Sequence, residues 1–243
     1  AADQHGLFLP PYGTAVRSTD PSYVTEEVET PFAAVEALEG GVAYAKSYDH
    51  LTLAARSIFF GTHVDRDLAF SETEGRSVLG GGTTRVGWSG ALRATHELVD
   101  QSFNVTLVRS AFDDTNLLVP YVPDVVIRSD TTLASDLPFQ LEGRRLRASG
   151  ALGVSYVGRR ALPYGQRSDT IFTLDAGASL GFGPYELELE VMNLFDLRYR
   201  LAEYNFVSDF RSAPQPTLVP ARHFVAGAPR TVLVSLSANF GGL

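Results

Sequence analysis

The chain has 243 residues, room for one large domain or two small ones, and its 44% apolar content with mean hydropathy +0.01 excludes a disordered tail. Cysteine is absent, which rules out a disulfide framework, a thiolate metal site and a cysteine nucleophile. With 28 acidic against 20 basic residues, a net charge of -8 and a pI near 5.1, the chain is a poor match for a phosphate backbone, and no nucleic-acid partner is expected.

No run of about 18 apolar residues encodes a transmembrane helix. The start, AADQHG, lacks the basic and apolar regions of a signal peptide, so any such peptide is missing or already removed. These facts suit a soluble domain and a membrane β-barrel equally, because a barrel hides its hydrophobicity in alternation. Periodicity separates the two.

In chain order, 33–47 and 51–62 are weaker strand candidates, and Thr84 to Thr95 sets Val86, Trp88 and Leu92 opposite Arg85, Ser89, Arg93 and Thr95. Further weak candidates are 101–112 and 123–135. From Leu146 to Tyr156 the apolar set includes Leu146, Leu152 and Val154, against Arg147, Ser149 and Ser155. From Phe172 to Phe182 it includes Leu174 and Leu180, against Thr173, Asp175 and Ser179. The clearest stretch is Tyr185 to Phe195, where Leu187, Leu189 and Val191 alternate with Glu186, Glu188 and Glu190. A helix would scatter those glutamates around its axis; a strand puts all three on one face. Val232 to Phe240 closes the series, with Val234 and Leu236 opposite Ser235 and Ser237.

About nine strands result, several roughly twice the usual 5–6 residues. Eleven residues at about 3.3 Å span roughly 36 Å, and a tilt of about 40° leaves about 28 Å of height, close to the apolar band of about 25 Å in outer-membrane barrels. Short links near Ser47–His50, Glu97–Asp100 and Gly183–Pro184 alternate with long ones at 63–82, 113–122, 159–168 and 197–230. A link at 136–145 is intermediate. Short turns on one side and long loops on the other form the layout of an antiparallel up-and-down transmembrane β-barrel. Aromatic residues near the strand ends, among them Phe59, Tyr156 and Tyr185, suit interfacial girdles, although ordinary strand propensity also places aromatics in sheets.

The C-terminal half resembles the late barrel of TonB-dependent outer-membrane receptors. The residues that carry the likeness are Val119-Pro120-Tyr121-Val122-Pro123, Gly153 to Arg160, and above all Asn193-Leu194-Phe195-Asp196 with Tyr199, which is similar to the family's C-terminal signature. A long loop and a final strand from Gly227 to Phe240 follow, as in the family. The match is good over 119–240, only one of style over 33–112, with Glu36 to Val42 its best piece, and absent over 1–32. The resemblance implies 22 strands closed around an N-terminal plug, and a box ahead of the plug that binds an inner-membrane energy-transducing protein. Residues 33–243 then correspond to the last nine strands, an incomplete part of that barrel, and 1–32 to an extracellular or irregular lead-in. The expected chain is a C-terminal fragment or a truncated gene product, with no plug and no box. Val234, Leu236 and Phe240 stand where the family carries its signal for the barrel-assembly machinery, although Gly241-Gly242-Leu243 follows the aromatic.

The implied role is energy-coupled uptake across the bacterial outer membrane of a scarce ligand, such as a ferric siderophore or cobalamin; metal and glycan also remain open. No enzymatic activity and no cofactor is implied. The expected partners are outer-membrane lipid and lipopolysaccharide, the assembly machinery, and the energy-transducing protein only through a plug. The alternative is a small self-contained barrel acting as a rim hydrolase, with His63, Asp65, Asp67, Asp113 and Asp114 at its rim. A soluble β-sandwich is disfavoured by strand length.

Other chemistry is weakly supported. Glu186, Glu188 and Glu190 read as a solvated wall facing arginines such as Arg147, and the five histidines show no metal-ligand spacing. Leu79 to Thr84 is glycine-rich but lacks the lysine and helix of a phosphate loop. The candidate ligand-binding residues lie in the outer loops: Arg159, Arg160, Tyr164 and Arg167 in one, and Tyr204, Arg222 and His223 in the longest, beside Arg200, Phe206, Arg211 and Phe224. Cations and aromatic faces on an acidic chain suit an anionic, aromatic or sugar-like ligand. Pairing of the same arginines with surface phosphates or local carboxylates is the competing reading.

Overall fold

The computed structural model describes residues 33–71, 76–141, 143–208 and 219–239. The lead-in 1–32, Arg211 and Phe240 lie outside the described residues. Nine strands form one antiparallel sheet: β1 Val35–Ser47, β2 Leu51–Val64, β5 Thr83–His96, β6 Val99–Phe112, β7 Val125–Leu141, β8 Arg144–Val157, β9 Ile171–Phe182, β10 Tyr185–Met192 and β13 Thr231–Ala238. Each pairs with the next in that order, so the sheet is an up-and-down meander with β1 and β13 at its edges. Two hairpins, β3 Leu68–Ser71 with β4 Arg76–Leu79 and β11 Arg200–Ser208 with β12 Val219–Ala226, rise from the long connections.

The register explains why the alternation in the sequence is so strict. Leu187, Leu189 and Val191 of β10 stand opposite Leu180, Ala178 and Ala176 of β9, and opposite Leu236, Val234 and Val232 of β13. On β8, Val154 faces Leu174 and Leu152 faces Ala176, so these apolar residues share one surface with Leu187, Leu189 and Val191, while Met192 and Leu233 fall on the other. The other surface is polar: Glu186, Glu188 and Glu190 meet Gly181, Ser179 and Gly177. Ser149 bonds Ser179 at 2.8 Å, and the Ser179 hydroxyl donates to Glu186 Oε1 at 2.9 Å. Arg147 shares the row of Gly181 and Glu186.

The apolar surface is not a core. Among the described residues only Val64, Leu162 and Ile171 are buried apolar side chains, while Leu236 is 75% and Leu189 42% exposed. A soluble sandwich would bury such residues between two sheets. Here the sheet presents them outward, as a lipid-facing wall requires. Tyr44, Lys46 and Tyr48 gather at the lower end of β1, with the Lys46 ammonium 4.9 Å from the Tyr48 ring centre, an arrangement suited to a membrane interface.

Two element boundaries differ from the sequence expectation. The link expected at 136–145 is strand on both sides: β7 runs to Leu141 and β8 starts at Arg144, joined by a short turn. Pro138 has no N–H for the ladder, and β7 carries it within an irregularity between Asp136 and Gln140. The stretch expected as strand to Phe195 stops at Met192, because Asn193 takes a positive φ of 51°. The tight turn after β9 is set by Gly183, whose φ of 58° favours a residue without Cβ.

Candidate functional site

In the meander the long connections all lie at one end of the sheet. Three are packed into one cluster. The 158–170 connection contains a single 3₁₀ turn, Pro163–Gly165, and Asn205 Nδ2 of β11 donates to Pro163 O at 2.9 Å. Tyr121 N–H of the 113–124 connection donates to Ala161 O, and its ring lies tilted against Tyr204 with centroids 5.6 Å apart.

At the centre of the cluster is Glu203, whose side chain is 0% exposed. Its Oε1 accepts the Asp169 amide at 2.6 Å. Its Oε2 lies 3.1 Å from Arg200 Nη1 and 3.4 Å from Arg222 Nη1. Asp169 meets the same two arginines, at 3.0 Å from Arg200 and 3.6 Å from Arg222. A carboxylate so far from water keeps its charge only with such partners. The two carboxylates and two guanidinium groups therefore fasten the β11–β12 hairpin to the neighbouring connection.

The sequence-chosen loop residues divide on this geometry. Arg222 belongs to the ion cluster and also donates to Arg167 O at 2.9 Å. Arg160 donates to Leu201 O at 3.3 and 3.4 Å, and its own amide donates to Ser168 Oγ at 2.9 Å. His223 stacks on Phe206 with centroids 3.8 Å apart, and Arg200 lies 4.9 Å from the Phe224 ring centre. Tyr204 is half-buried against Tyr121, whereas Tyr164 is exposed with a positive φ of 60°. Arg159 and the Arg167 side chain make no ion pair among the described residues and border a separate hollow.

The signature residues form the junction beneath the longest connection. Asn193 is 3% exposed, and its Nδ2 donates to Leu197 O at 3.0 Å and Ala228 O at 3.1 Å, while its Oδ1 accepts the Leu197 amide at 3.0 Å. Its own amide donates to Asp175 Oδ1 of β9 at 2.9 Å, and the Leu194 amide to Leu174 O at 2.7 Å. Asp196, with φ of 51°, accepts the Arg230 amide at 3.0 Å. Tyr199 packs on Gly227 so closely that a Cβ there would run into the ring. Phe195 is 61% exposed. Asn193, Asp196 and Tyr199 thus tie β9, the start of the loop and the entry to β13 at one point.

Below this junction, on the polar surface, Asp175 Oδ2 lies 3.4 Å from Arg128 Nη1, which also donates to Ser155 Oγ at 2.6 Å. Arg128 Nε donates to Asp130 Oδ1 at 2.8 Å. Sequence reasoning singled out neither this network nor Glu203. The available signal was a charged or amide residue at 128, 130, 175, 203 and 205 within otherwise strand-like runs, which marks a polar face without revealing partners.

The rim acids are engaged locally. Asp67 pairs with Arg85 and accepts the Thr83 hydroxyl at 2.7 Å. Asp113 accepts the Thr84 hydroxyl at 2.6 Å, with His63 Nδ1 3.4 Å away, and Asp65 accepts the Ala34 amide at 2.8 Å. Among the described residues no three His, Asp or Glu are grouped to hold a metal ion.

No protein-family model matches the sequence, and no curated protein is detectably similar to it. Solved structures do match. The ferric yersiniabactin uptake receptor FyuA of Yersinia pestis superposes with a TM-score of 0.57 at 18% identity, over 85% of this chain and 30% of that one. The ferric-catecholate import receptor Fiu of E. coli K12, in its closed form, gives a TM-score of 0.59 at 17% identity, over 85% of this chain and 27% of that one. The chain thus spans less than a third of the length of either. At this identity the likeness is one of fold, and the fold is that of a portion of the β-barrel of a TonB-dependent receptor.

Proposed function

We propose that the chain supplies the last nine strands of an outer-membrane receptor barrel that takes up a scarce ligand, a ferric chelate being the first choice and cobalamin another. The observation that carries this reading is the two-faced meander, with an apolar surface left exposed across nine strands and a polar surface opposite. That construction is stable only where lipid covers one side and water or protein the other. The two receptors with the same fold import ferric ligands, which favours iron. Energy reaches such a receptor from an inner-membrane protein through its plug, so that contact falls outside these strands. Lipid and lipopolysaccharide surround the wall, and the assembly machinery reads the β13 end with Val234, Leu236 and Phe240. Transport of this kind needs no cofactor and no enzymatic step.

The test is fractionation and uptake with the intact protein. The protein is expected in the outer-membrane fraction, and its deletion is expected to reduce growth on at least one ferric chelate as sole iron source. Recovery in the soluble fraction without detergent would overturn the proposal.

A further inference from the structure

Of the 20 Lys and Arg residues in the chain only one is lysine, Lys46, and it stands near the short-turn end of β1. The register carries Tyr44 across the sheet through Ala55, Leu92, Phe103 and Ser129 to Val154. Tyr44, and with it Lys46 two residues on, therefore lies on the apolar surface. A charge there is costly unless it reaches the membrane boundary or a counter-charge. Lys46 forms no ion pair among the described residues, and Glu97 of the neighbouring turn is already held by His50 Nδ1 at 2.6 Å.

The surroundings of the ammonium are aromatic instead. It lies 4.9 Å from the Tyr48 ring centre, and the Tyr48 hydroxyl is 3.5 Å from that of Tyr44. The Tyr48 amide donates to Leu51 O at 2.8 Å and the Thr52 hydroxyl to Ser47 Oγ at 3.2 Å, which fixes the turn that carries the ring. Both tyrosines are half exposed. One cation and two phenol hydroxyls are thus gathered at one place with no carboxylate to neutralise them.

A furrow leads away from this group along β2. On the apolar surface Ala55 stands between Tyr44 and Leu92, and Ser57 between Val42 and Gly90, so small residues form a floor between larger ones. The Trp88 ring lies across Gly90, where a Cβ would run into it, and its indole N–H donates to Ser57 Oγ at 2.8 Å, which satisfies the hydroxyl in the floor. The four residues from Lys46 to Val42 cover about 13 Å at about 3.3 Å each.

We infer that Lys46, Tyr44 and Tyr48 bind the phosphodiester of an anionic phospholipid whose acyl chain lies in the furrow over Ala55. The ammonium is a compact charge for the phosphate and the phenols are hydroxyl donors. The furrow takes the chain that a free phosphate lacks, and it identifies the source as lipid. The inference rests on the receptor reading for the membrane itself and adds to it a lipid-specific site.

The experiment measures association of spin-labelled phosphatidylglycerol, against spin-labelled phosphatidylcholine, with the intact protein in phosphatidylcholine vesicles. Preference for phosphatidylglycerol is expected to fall about fivefold in K46Q, the weight of one lysine at an anionic surface. It is expected to survive in K46R, to weaken in Y48L and in A55L, which fills the floor, and to be unchanged in R93Q on the polar surface. As the single lysine, Lys46 also allows a direct reading in the unaltered protein. Its acylation by a water-soluble amine reagent, located by peptide mass, is expected to slow several-fold when phosphatidylglycerol is added. No preference in the unaltered protein, equal loss in R93Q, or no protection of Lys46 would overturn the site. Displacement of the lipid by inorganic phosphate at equal concentration would assign the group to a free anion and overturn it as well. Fractionation keeps the two readings apart. Membrane-embedded protein without the preference refutes the headgroup site alone, whereas protein recovered soluble without detergent refutes the receptor reading on which the site rests.

Discussion

An arginine at Leu189 tests the facing of the wall most sharply. Leu189 lies on β10 between Ala178 and Val234, on the apolar surface, four residues from Tyr185 and three from Met192. An eight-residue strand at about 3.3 Å per residue and a tilt of about 40° rises about 20 Å, which puts Leu189 close to mid-depth. Arginine there faces hydrocarbon and should cost about 2–4 kcal/mol. Its neighbour Glu188 stands on the polar surface between Ser179 and Ser235, where the same arginine meets water and hydroxyls and should cost less than about 1 kcal/mol. Equilibrium unfolding of the intact protein in phospholipid vesicles, followed by tryptophan fluorescence and by the shift in gel mobility on heating, measures both. Equal destabilisation by L189R and E188R would refute the facing assignment.

Three further outcomes follow from the loops and the junction. N193A removes two donated bonds and one accepted bond at a residue held at positive φ, and should lower stability by about 2–4 kcal/mol, whereas F195A, at an exposed ring, should change it by less than about 0.5 kcal/mol, both read from the unfolding midpoint. G227A forces a methyl group into the Tyr199 ring and should cost about 1–3 kcal/mol, with most of the loss recovered in the Y199A background; a full loss in both backgrounds would contradict the contact. E203Q leaves Arg200 and Arg222 facing a neutral side chain and should weaken the anchoring of the hairpin by about 1–3 kcal/mol, seen as faster amide exchange across 200–226 with the nine-stranded sheet unaffected.

The wall was legible in the sequence because its physics is local. The C-terminal strands have one apolar and one polar surface, so Leu187 and Glu188 alternate residue by residue. The hairpin β11–β12 was not legible, because its two strands pair only with each other and Glu203, Asn205 and Arg222 turn toward the 158–170 connection. Pro138 disguised the lower part of β7 by breaking the ladder without ending the strand. In the loops, the arginines were visible as a group, but which of them are tied down depends on partners far along the chain. Arg222 lies 53 residues beyond Asp169, and nothing in the spacing announces that contact.

The absence of cysteine from these 243 residues makes one measurement direct. Single cysteines placed in turn from Tyr185 to Met192, spin-labelled in the intact membrane-embedded protein, report at each position whether oxygen from lipid or a water-soluble relaxation agent reaches the label. Labels at positions 187, 189 and 191 are expected to favour oxygen, and those at 186, 188 and 190 the aqueous agent, with a strict period of two. A pattern in which 187, 189 and 191 are shielded from both agents would place them in a dry protein core and contradict the barrel wall outright.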